Sequence, residues 1–152
     1  LADDPAWAER AERFSAKVRD ISELLAELTP RAPRHPISTR VAYHDACHLS
    51  NAQRIRSQPR AVLRSIPDLQ LHDIAEAELC CGSAGIYNLV EPETAEELGQ
   101  RKARNIEAVS PDVVVTANAG CRLQIRGFLD AGIPLLHPVQ LVDASIRGVD
   151  PL

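Results

Sequence analysis

The 152-residue chain has no methionine, only four cysteines and few aromatic residues, which make up 3% of the sequence. No apolar run approaches the roughly 20 residues needed to cross a bilayer, so we expect no membrane span. The first ten residues lack the basic start and the apolar core of a signal peptide. Because an initiator methionine is also missing, we interpret the chain as a piece of a longer protein.

What is present is an ordinary globular composition, with 45% hydrophobic and 25% charged residues. The length suits one domain with a sizeable core. A net charge of −4 argues against nucleic acid or an anionic membrane as the main partner. There is no G-x-G-x-x-G loop and no phosphate loop, so no motif indicates a bound nucleotide. Clustered cysteines without export features favour a cytoplasmic protein with metal or redox chemistry.

The N-terminal residues show a helical pattern. Seven apolar residues recur at alternating spacings of four and three: Trp7, Ala11, Phe14, Val18, Ile21, Leu25 and Leu28. This seam predicts one long helix over residues 5–28, packed either on the chain's own sheet or on a partner. Three prolines in residues 29–39 predict a linker. We therefore divide the chain into an N-terminal helix with its linker, residues 1–39, and a cysteine-rich domain, residues 40–152.

From residue 40 onward, predicted strands alternate with predicted helices. Strands are predicted at 40–44, 69–74, 112–117 and 134–137, and helices at 59–66, 92–109, 121–130 and 138–147. This alternation predicts an α/β fold, with a mostly parallel sheet flanked by helices in Rossmann-like layers.

The cysteines follow three of the predicted strands. Cys47 comes after the first strand, Cys80 and Cys81 after the second, and Cys121 after the third. In open α/β sheets, ligand sites gather at the carboxyl ends of the strands. The four thiols are therefore predicted to meet at one edge of the sheet.

Two of these cysteines are preceded by residues that commonly begin a helix. Asp45 precedes Cys47, and Asn118 precedes Cys121. Both are expected to act as turn and capping residues that place a cysteine at a helix start. The helix dipole and free N–H groups favour thiolate there, and thiolate is the form that binds metal.

The Cys80–Cys81 doublet is followed by two glycines, Gly82 and Gly85, that allow the backbone to turn both sulfur atoms toward one centre. Four thiolates suit an iron–sulfur cluster or a structural zinc ion. Two alternatives stay open at this point: four reduced cysteines without a ligand, or a disulfide, including a strained one within the doublet.

Other polar residues accompany the cysteines. His44 and His48 flank Cys47, where one of them is either a ligand or proton donor, or a structural side chain that bonds the backbone. Tyr87 and Asn88 follow the doublet and either donate hydrogen bonds to the sulfur atoms or cap the helix that begins there.

A cysteine, then Cys-Cys-Gly about thirty residues later, then another cysteine nearly forty residues on resembles the CCG domain of heterodisulfide reductase and of lactate- and glycolate-oxidising complexes. The similarity is strongest to the C-terminal CCG repeat of the glycolate oxidase iron–sulfur subunit. The stretches that carry it are 43-YHDACHL-49, 57-SQPRAVLRSIPDLQL-71, 79-LCCGSAGIYNLVEP-92, 117-ANAGCRLQI-125 and 137-HPVQLVDAS-145.

The resemblance implies that Cys47, Cys80, Cys81 and Cys121 bind a metal centre, a [4Fe–4S] cluster or alternatively zinc. The fullest form of the family motif ends C-x-x-C, but Gln124 stands where a fifth cysteine would be. Because five cysteines support the unusual noncubane cluster of some relatives, four favour conventional ligation.

The resemblance also implies a place in a larger assembly. The chain is expected to be an electron-transfer module that works beside a flavin-containing dehydrogenase subunit, which oxidises a 2-hydroxy acid. By itself this fragment is not expected to be catalytic. Membrane association is expected only through the complex, at the inner face. The alternative function is a zinc-binding or scaffold domain that docks subunits without redox chemistry.

Overall fold

A four-stranded parallel sheet lies at the centre of the computed structural model, which describes residues 1–152. The strands are Arg40–His44 (β1), Gln70–His72 (β2), Val113–Thr116 (β3) and Leu135–Leu136 (β4). The helices are Ala8–Ser15 (α1), Ile21–Glu27 (α2), Ser57–Arg64 (α3), Tyr87–Val90 (α4), Pro92–Glu107 (α5), Ala119–Arg126 (α6) and Pro138–Arg147 (α7), with a π-helical turn at His48–Ala52. The predicted α/β fold with a parallel sheet flanked by helices is confirmed.

The strand order is β2-β1-β3-β4, with every pair parallel. The chain passes from β1 to β2 on one side and then crosses to the other side of β1 to form β3. In the β1–β3 pair, Ala42 lies beside Val114 and His44 beside Thr116. The strand order therefore reverses between β1 and β3, and in open α/β sheets ligands bind at the carboxyl edge of that reversal.

Both faces of the sheet are covered, and the alternation of side chains along the strands divides the core in two. On one face, Ala42 and Val114 pack with Ile106 of α5 and Ile125 of α6. On the other face, the packed residues come from the remaining positions of β1 and β3 and from helices α3 and α7: Val41, Tyr43, Val113, Val115, Val62, Leu63, Leu141 and Val142. The unbroken β-branched run of β3 is buried throughout, as expected for a central parallel strand.

The predicted long N-terminal helix is wrong, because the chain forms two short helices there. The side chain of Asp20 accepts a hydrogen bond from the Ser22 N–H at 2.8 Å, and the Glu23 carboxylate accepts one from the Asp20 N–H at 2.9 Å. This capping box begins a new helix at Ile21 and ends the continuity of the heptad seam. Helix α1 buries no residue, and Phe14 is 72% exposed.

The second short helix does join the domain. Helix α2 packs against α3, and Leu25 contacts the core on that face of the sheet.

The proline-rich segment that follows has no regular structure, yet it is tied to α7. Ser145 donates a hydrogen bond to the carbonyl of His35 at 2.7 Å, and the His35 N–H donates to the Ser145 carbonyl at 2.8 Å. No helix combines the length and apolarity needed to cross a bilayer.

At the amino edge of the sheet, an ion pair joins the starts of the two central strands. The Asp112 carboxylate accepts hydrogen bonds from the Arg40 backbone N–H at 2.8 Å and from its guanidinium at 2.7 Å. In return, the Asp112 N–H donates to the Arg40 carbonyl at 2.9 Å. The Arg40 contacts lower the pKa of Asp112 to about 2.

This ion pair predicts a defined acid dependence of stability. An unfolded aspartate titrates at about 3.9, so the contribution of Asp112 is present above about pH 4 and is lost as the pH falls through about 2. Replacing Asp112→Asn should lower the urea midpoint at pH 7, and the difference from wild type should shrink toward zero below about pH 2. Asp3→Asn, at an exposed N-terminal position, is the control; an equal effect there would refute the assignment.

Candidate metal centre

The structure places the four cysteines on three loops at the carboxyl edge of the sheet. Cys47 follows β1, Cys80 and Cys81 lie between β2 and α4, and Cys121 is in the first turn of α6, directly after β3. Three of them, Cys47, Cys81 and Cys121, line one cleft of about 460 Å³. All four are free thiols. The cleft therefore collects sulfur donors from both sides of the strand-order reversal.

Cys80 lies at the outer side of this group. Burial raises the pKa of the Cys80 thiol, and the adjacent Cys81 and Cys47 raise it further. The Gly82 N–H points at the Cys80 sulfur atom, 3.4 Å away, which partly offsets this effect. Cys47 and Cys80 are half-buried, whereas Cys81 and Cys121 are buried.

The two buried cysteines form a pair. The Cys121 thiol, donating to the Cys81 sulfur, holds the pKa of Cys81 below its usual range, and the nearby His44 ring lowers it further. The pKa of Cys121 is raised for the same reason, because it retains the shared proton. The contact thus favours the thiolate form of Cys81, and thiolate is the state that a metal requires.

His44 is the third buried donor in this group. It is the last residue of β1, and its side chain is 1% exposed. Its ring nitrogen and the sulfur atoms of Cys81 and Cys121 all lie within 4.8 Å of one another. Neither ring nitrogen makes a hydrogen bond of normal geometry, although the ring is close enough to Cys81 to lower the pKa of its thiol. The inner part of the cleft therefore presents two sulfur atoms and one nitrogen.

Cys121 is positioned by the helix cap expected from the sequence. Asn118 caps α6, and its side-chain oxygen accepts a hydrogen bond from the Cys121 N–H at 2.8 Å. A side chain at Gly120 would lie 3.1 Å from that oxygen and 3.2 Å from the Ser83 hydroxyl. The absence of a side chain at Gly120 thus lets the doublet loop approach the cap closely.

Asp45 does not cap a helix, which corrects the expectation for this residue. Both of its carboxylate oxygens accept hydrogen bonds from the Arg60 guanidinium at 2.7 Å, and its side chain is only 7% exposed. The guanidinium also lies over the Tyr43 ring, 5.1 Å from its centroid. The competing ion pair satisfies the carboxylate, and Cys47 begins the π-helical turn without a side-chain cap. Asp45 therefore fixes the Cys47 loop against α3.

The doublet loop turns sharply and packs against α5. Gly82 has a φ of +92°, and a side chain there would lie 2.5 Å from the Ala95 carbonyl oxygen. Gly85 has a φ of +72° but open space around it. As expected, both glycines adopt backbone angles that other residues rarely take. The Gly82 position additionally requires the close approach to α5.

A buried lysine holds the segment that leads into the doublet, and the sequence interpretation did not include it. Lys102 of α5 is fully buried, and its ammonium group donates to the Glu76 carbonyl at 2.6 Å and the Ala77 carbonyl at 3.3 Å. Burial lowers the pKa of this lysine. The sequence does contain a signal for this burial. Lys102 lies seven residues after Ala95 and therefore on the same helix face, which is otherwise apolar.

The remaining candidates lie around the cleft. His48 is exposed at its mouth, with its Nδ1 3.5 Å from the Asn118 amide. Tyr87 begins α4 and is half-buried. The Asn88 amide donates to the Gln124 side-chain oxygen at 3.1 Å, and Gln124 reaches the Ala95 carbonyl at 3.5 Å. Asn88 and Gln124 thus bond each other and join α4 to α6 and α5.

The chain matches one protein family and is similar to several known proteins. The profile of a cysteine-rich domain family, CCG, matches residues 41–126. The chain is 40% identical over 83% of its length to the probable glycolate oxidase iron–sulfur subunit of Bacillus subtilis (strain 168), covering 29% of that protein. It is 36% identical over 84% of its length to a fumarate reductase (CoM/CoB) subunit of Methanothermobacter marburgensis, covering 27%. With the glycolate oxidase iron–sulfur subunit of Escherichia coli (strain K12) it shares 33% identity over 97% of its length, covering 35%. The chain thus spans about a third or less of these relatives.

The Asp45–Arg60 pair predicts a loss of stability when one partner is removed. Asp45→Asn leaves the Arg60 guanidinium, which is 18% exposed, without its carboxylate, and should lower the free energy of unfolding by about 2–3 kcal/mol in urea titrations. Glu9→Gln is the control, because it breaks an exposed pair with Arg13 and should cost about 0.5 kcal/mol or less. Equal effects of the two changes would contradict the structural role of Asp45.

The doublet loop provides a matched pair of glycine substitutions. Gly82→Ala should lower the free energy of unfolding by about 3 kcal/mol, because a strained φ is combined with a clash against α5. Gly85→Ala has the strained φ alone and should cost about 1 kcal/mol. Urea titration of both variants measures the difference. If Gly85→Ala proves the more damaging change, the close packing of Gly82 on Ala95 is not what shapes the loop.

Proposed function

The chain belongs to the cysteine-rich CCG domain family, and from this premise we propose that it is an electron-transfer module of a 2-hydroxy-acid-oxidising complex of the glycolate oxidase type. In this proposal Cys47, Cys80, Cys81 and Cys121 bind an iron–sulfur cluster, most simply a [4Fe–4S] cluster. The module itself carries no substrate site, and the hydroxy acid is oxidised on another subunit.

The observation that carries the proposal is that four free thiols lie on three loops at the carboxyl edge of the sheet, and that three of them line one cleft. Thiolates are the usual protein ligands of iron–sulfur clusters, and the contact with Cys121 lowers the pKa of Cys81, which favours its thiolate form. The donor set of this chain therefore fits such a cluster. The similarity of the chain to proteins named as iron–sulfur subunits supports the same cofactor.

The residues of the chain have distinct tasks in this function. A bound cluster supplies one-electron transfer. Buried Cys81 and Cys121 hold the inner side away from water, while half-buried Cys47 and Cys80 hold the side nearer the surface. The Asn118 cap and the Lys102 contacts keep the loops in place, so the binding site needs little rearrangement when an electron arrives or leaves.

We further propose that the partner subunit is a flavin-containing dehydrogenase that docks beside the cleft. Four large apolar side chains are exposed on α4, on the residue before it and on α6, which adjoin the cleft: Ile86, Leu89, Val90 and Leu123. Apolar residues clustered on a surface commonly mark a protein contact. We place the complex in the cytoplasm, because reduced cysteine clusters are typical of that compartment. It would meet the inner face of the membrane only through other subunits, and the acidic net charge argues against nucleic acid.

A second candidate function is a zinc-binding domain that docks subunits without redox chemistry. The observation that favours it is the compact group of His44, Cys81 and Cys121, whose donor atoms lie within 4.8 Å of one another. Mixed cysteine and histidine ligands are typical of structural zinc. Either half-buried cysteine could complete four ligands.

Metal analysis of anaerobically purified protein tests the proposal. We expect iron and acid-labile sulfide at about four of each per chain, with a visible absorption that bleaches on reduction. Stoichiometric zinc without iron or sulfide would refute the electron-transfer function and support the second candidate.

A variant of a ligand extends this test. Cys81→Ser should lower the iron content several-fold, because a buried thiolate of the cleft is lost. Ser145→Ala is the control, since Ser145 is equally buried but lies on α7, on the opposite face of the sheet. Circular dichroism shows whether each variant is folded. Unchanged iron in folded Cys81→Ser would contradict the role of Cys81.

A further inference from the structure

His44 is buried in a way that its protein surroundings do not explain. Its side chain is 1% exposed, and neither ring nitrogen makes a hydrogen bond of normal geometry. A neutral imidazole has one donor and one acceptor nitrogen, and leaving a buried polar group unpaired destabilises the folded state. Thr116, which lies beside His44 in the sheet, also has an unpaired buried hydroxyl. The two side chains therefore do not satisfy each other.

The direction of the His44 side chain follows from its place in β1. Side chains alternate along a strand, so His44 shares a face with Ala42. Ala42 belongs to the core cluster that contains Cys81 and Cys121. The ring therefore points into the inner part of the cleft, in agreement with the 4.8 Å limit on its distances to the two sulfur atoms.

The spacing of these atoms is close to that of ligands around one ion. Bond lengths of about 2.0–2.3 Å in a tetrahedral site put neighbouring ligand atoms roughly 3.6 Å apart. The donor atoms of His44, Cys81 and Cys121 lie within 4.8 Å of one another, a limit slightly above this ligand spacing. A small rotation of the side chains closes the difference. A ring nitrogen held at this place without a partner has the position and the lone pair that a metal ligand needs.

The other polar side chain close to Cys121 is engaged elsewhere. Gln124 stands three residues after Cys121, but its side chain accepts a hydrogen bond from Asn88 and contacts the Ala95 carbonyl. It is thereby committed to the helices that surround the cleft. His44 is instead the buried polar side chain that is free to bind within it.

We propose that His44 is one of the four protein ligands of the metal centre, binding through a ring nitrogen next to Cys81 and Cys121. It takes the place of Cys80 in the ligand set, since Cys80 does not line the cleft. The identity of the metal as iron rests on the proposed function; the role of His44 does not. Mixed ligation has a measurable consequence, because replacement of thiolate by neutral imidazole removes negative charge and raises the reduction potential of an iron–sulfur centre.

The deciding experiment is pulsed electron paramagnetic resonance on the reduced, anaerobically purified protein, labelled with ¹⁵N-histidine. We expect a strongly coupled ¹⁵N nucleus in the wild type. In His44→Cys this coupling should disappear while iron content is kept, and the reduction potential should fall. In His48→Asn the coupling should persist, because His48 is exposed at the mouth of the cleft.

Each other outcome overturns the proposal or separates it from the proposed function. Iron without a strongly coupled nitrogen, or with only the weak coupling of a hydrogen bond, refutes His44 as a ligand and leaves the cluster function intact. Loss of the coupling in His48→Asn would show that the bound nitrogen belongs to His48, which refutes the role proposed for His44. If the protein holds zinc, the cluster function fails, and X-ray absorption at the zinc edge then answers the ligand question: a nitrogen that His44→Cys removes supports His44, and a shell of sulfur alone refutes it. The wild-type measurement decides whether nitrogen is bound even if a variant fails to fold.

Discussion

The pairing of β1 with β3 is the constraint on which the rest of the structure depends. These two strands are the centre of the sheet, and the strand order reverses between them. Because their register sets His44 beside Thr116, the loops that carry Cys47 and Cys121 leave the sheet side by side. The doublet loop, which carries Cys80 and Cys81, then needs to reach only the edge of the sheet where these two loops lie. A shift of this register by one residue would turn the donors of β1 to the opposite face.

Charged side chains, in addition to the apolar core, hold the loops that carry the cysteines. The Asp45–Arg60 pair fixes the loop after β1, and Lys102 holds the carbonyls that precede the doublet. Buried charges contribute little net stability because of their desolvation cost, but they make the unpaired alternatives expensive. Their directional hydrogen bonds select one loop conformation. A metal site requires that selection, since its ligands have to meet within a few tenths of an ångström.

The sequence predicts the strands and the longer helices after residue 40 well, because strand and helix patterns there follow burial on a two-faced sheet. The run Val113–Val115 and the Asn118 cap carry their own structural signal. The N-terminal prediction failed because the local capping box at Asp20 outweighs a heptad pattern whose first part, in α1, buries no residue. In the candidate site, cysteine positions follow from strand order. The partners of Asp45 and Lys102 do not, since those contacts join residues 15 to 26 positions apart.

The four cysteines differ in burial, and this gives the centre two unlike sides. Cys81 and Cys121 face the core, whereas Cys47 and Cys80 lie half-open at the surface. For a centre that exchanges electrons, the tunnelling path to any docked protein is short through the outer pair and long through the domain. With the proposed cluster bound, electrons would therefore enter and leave on the same exposed side, so an electron donor and an electron acceptor would dock there one after the other.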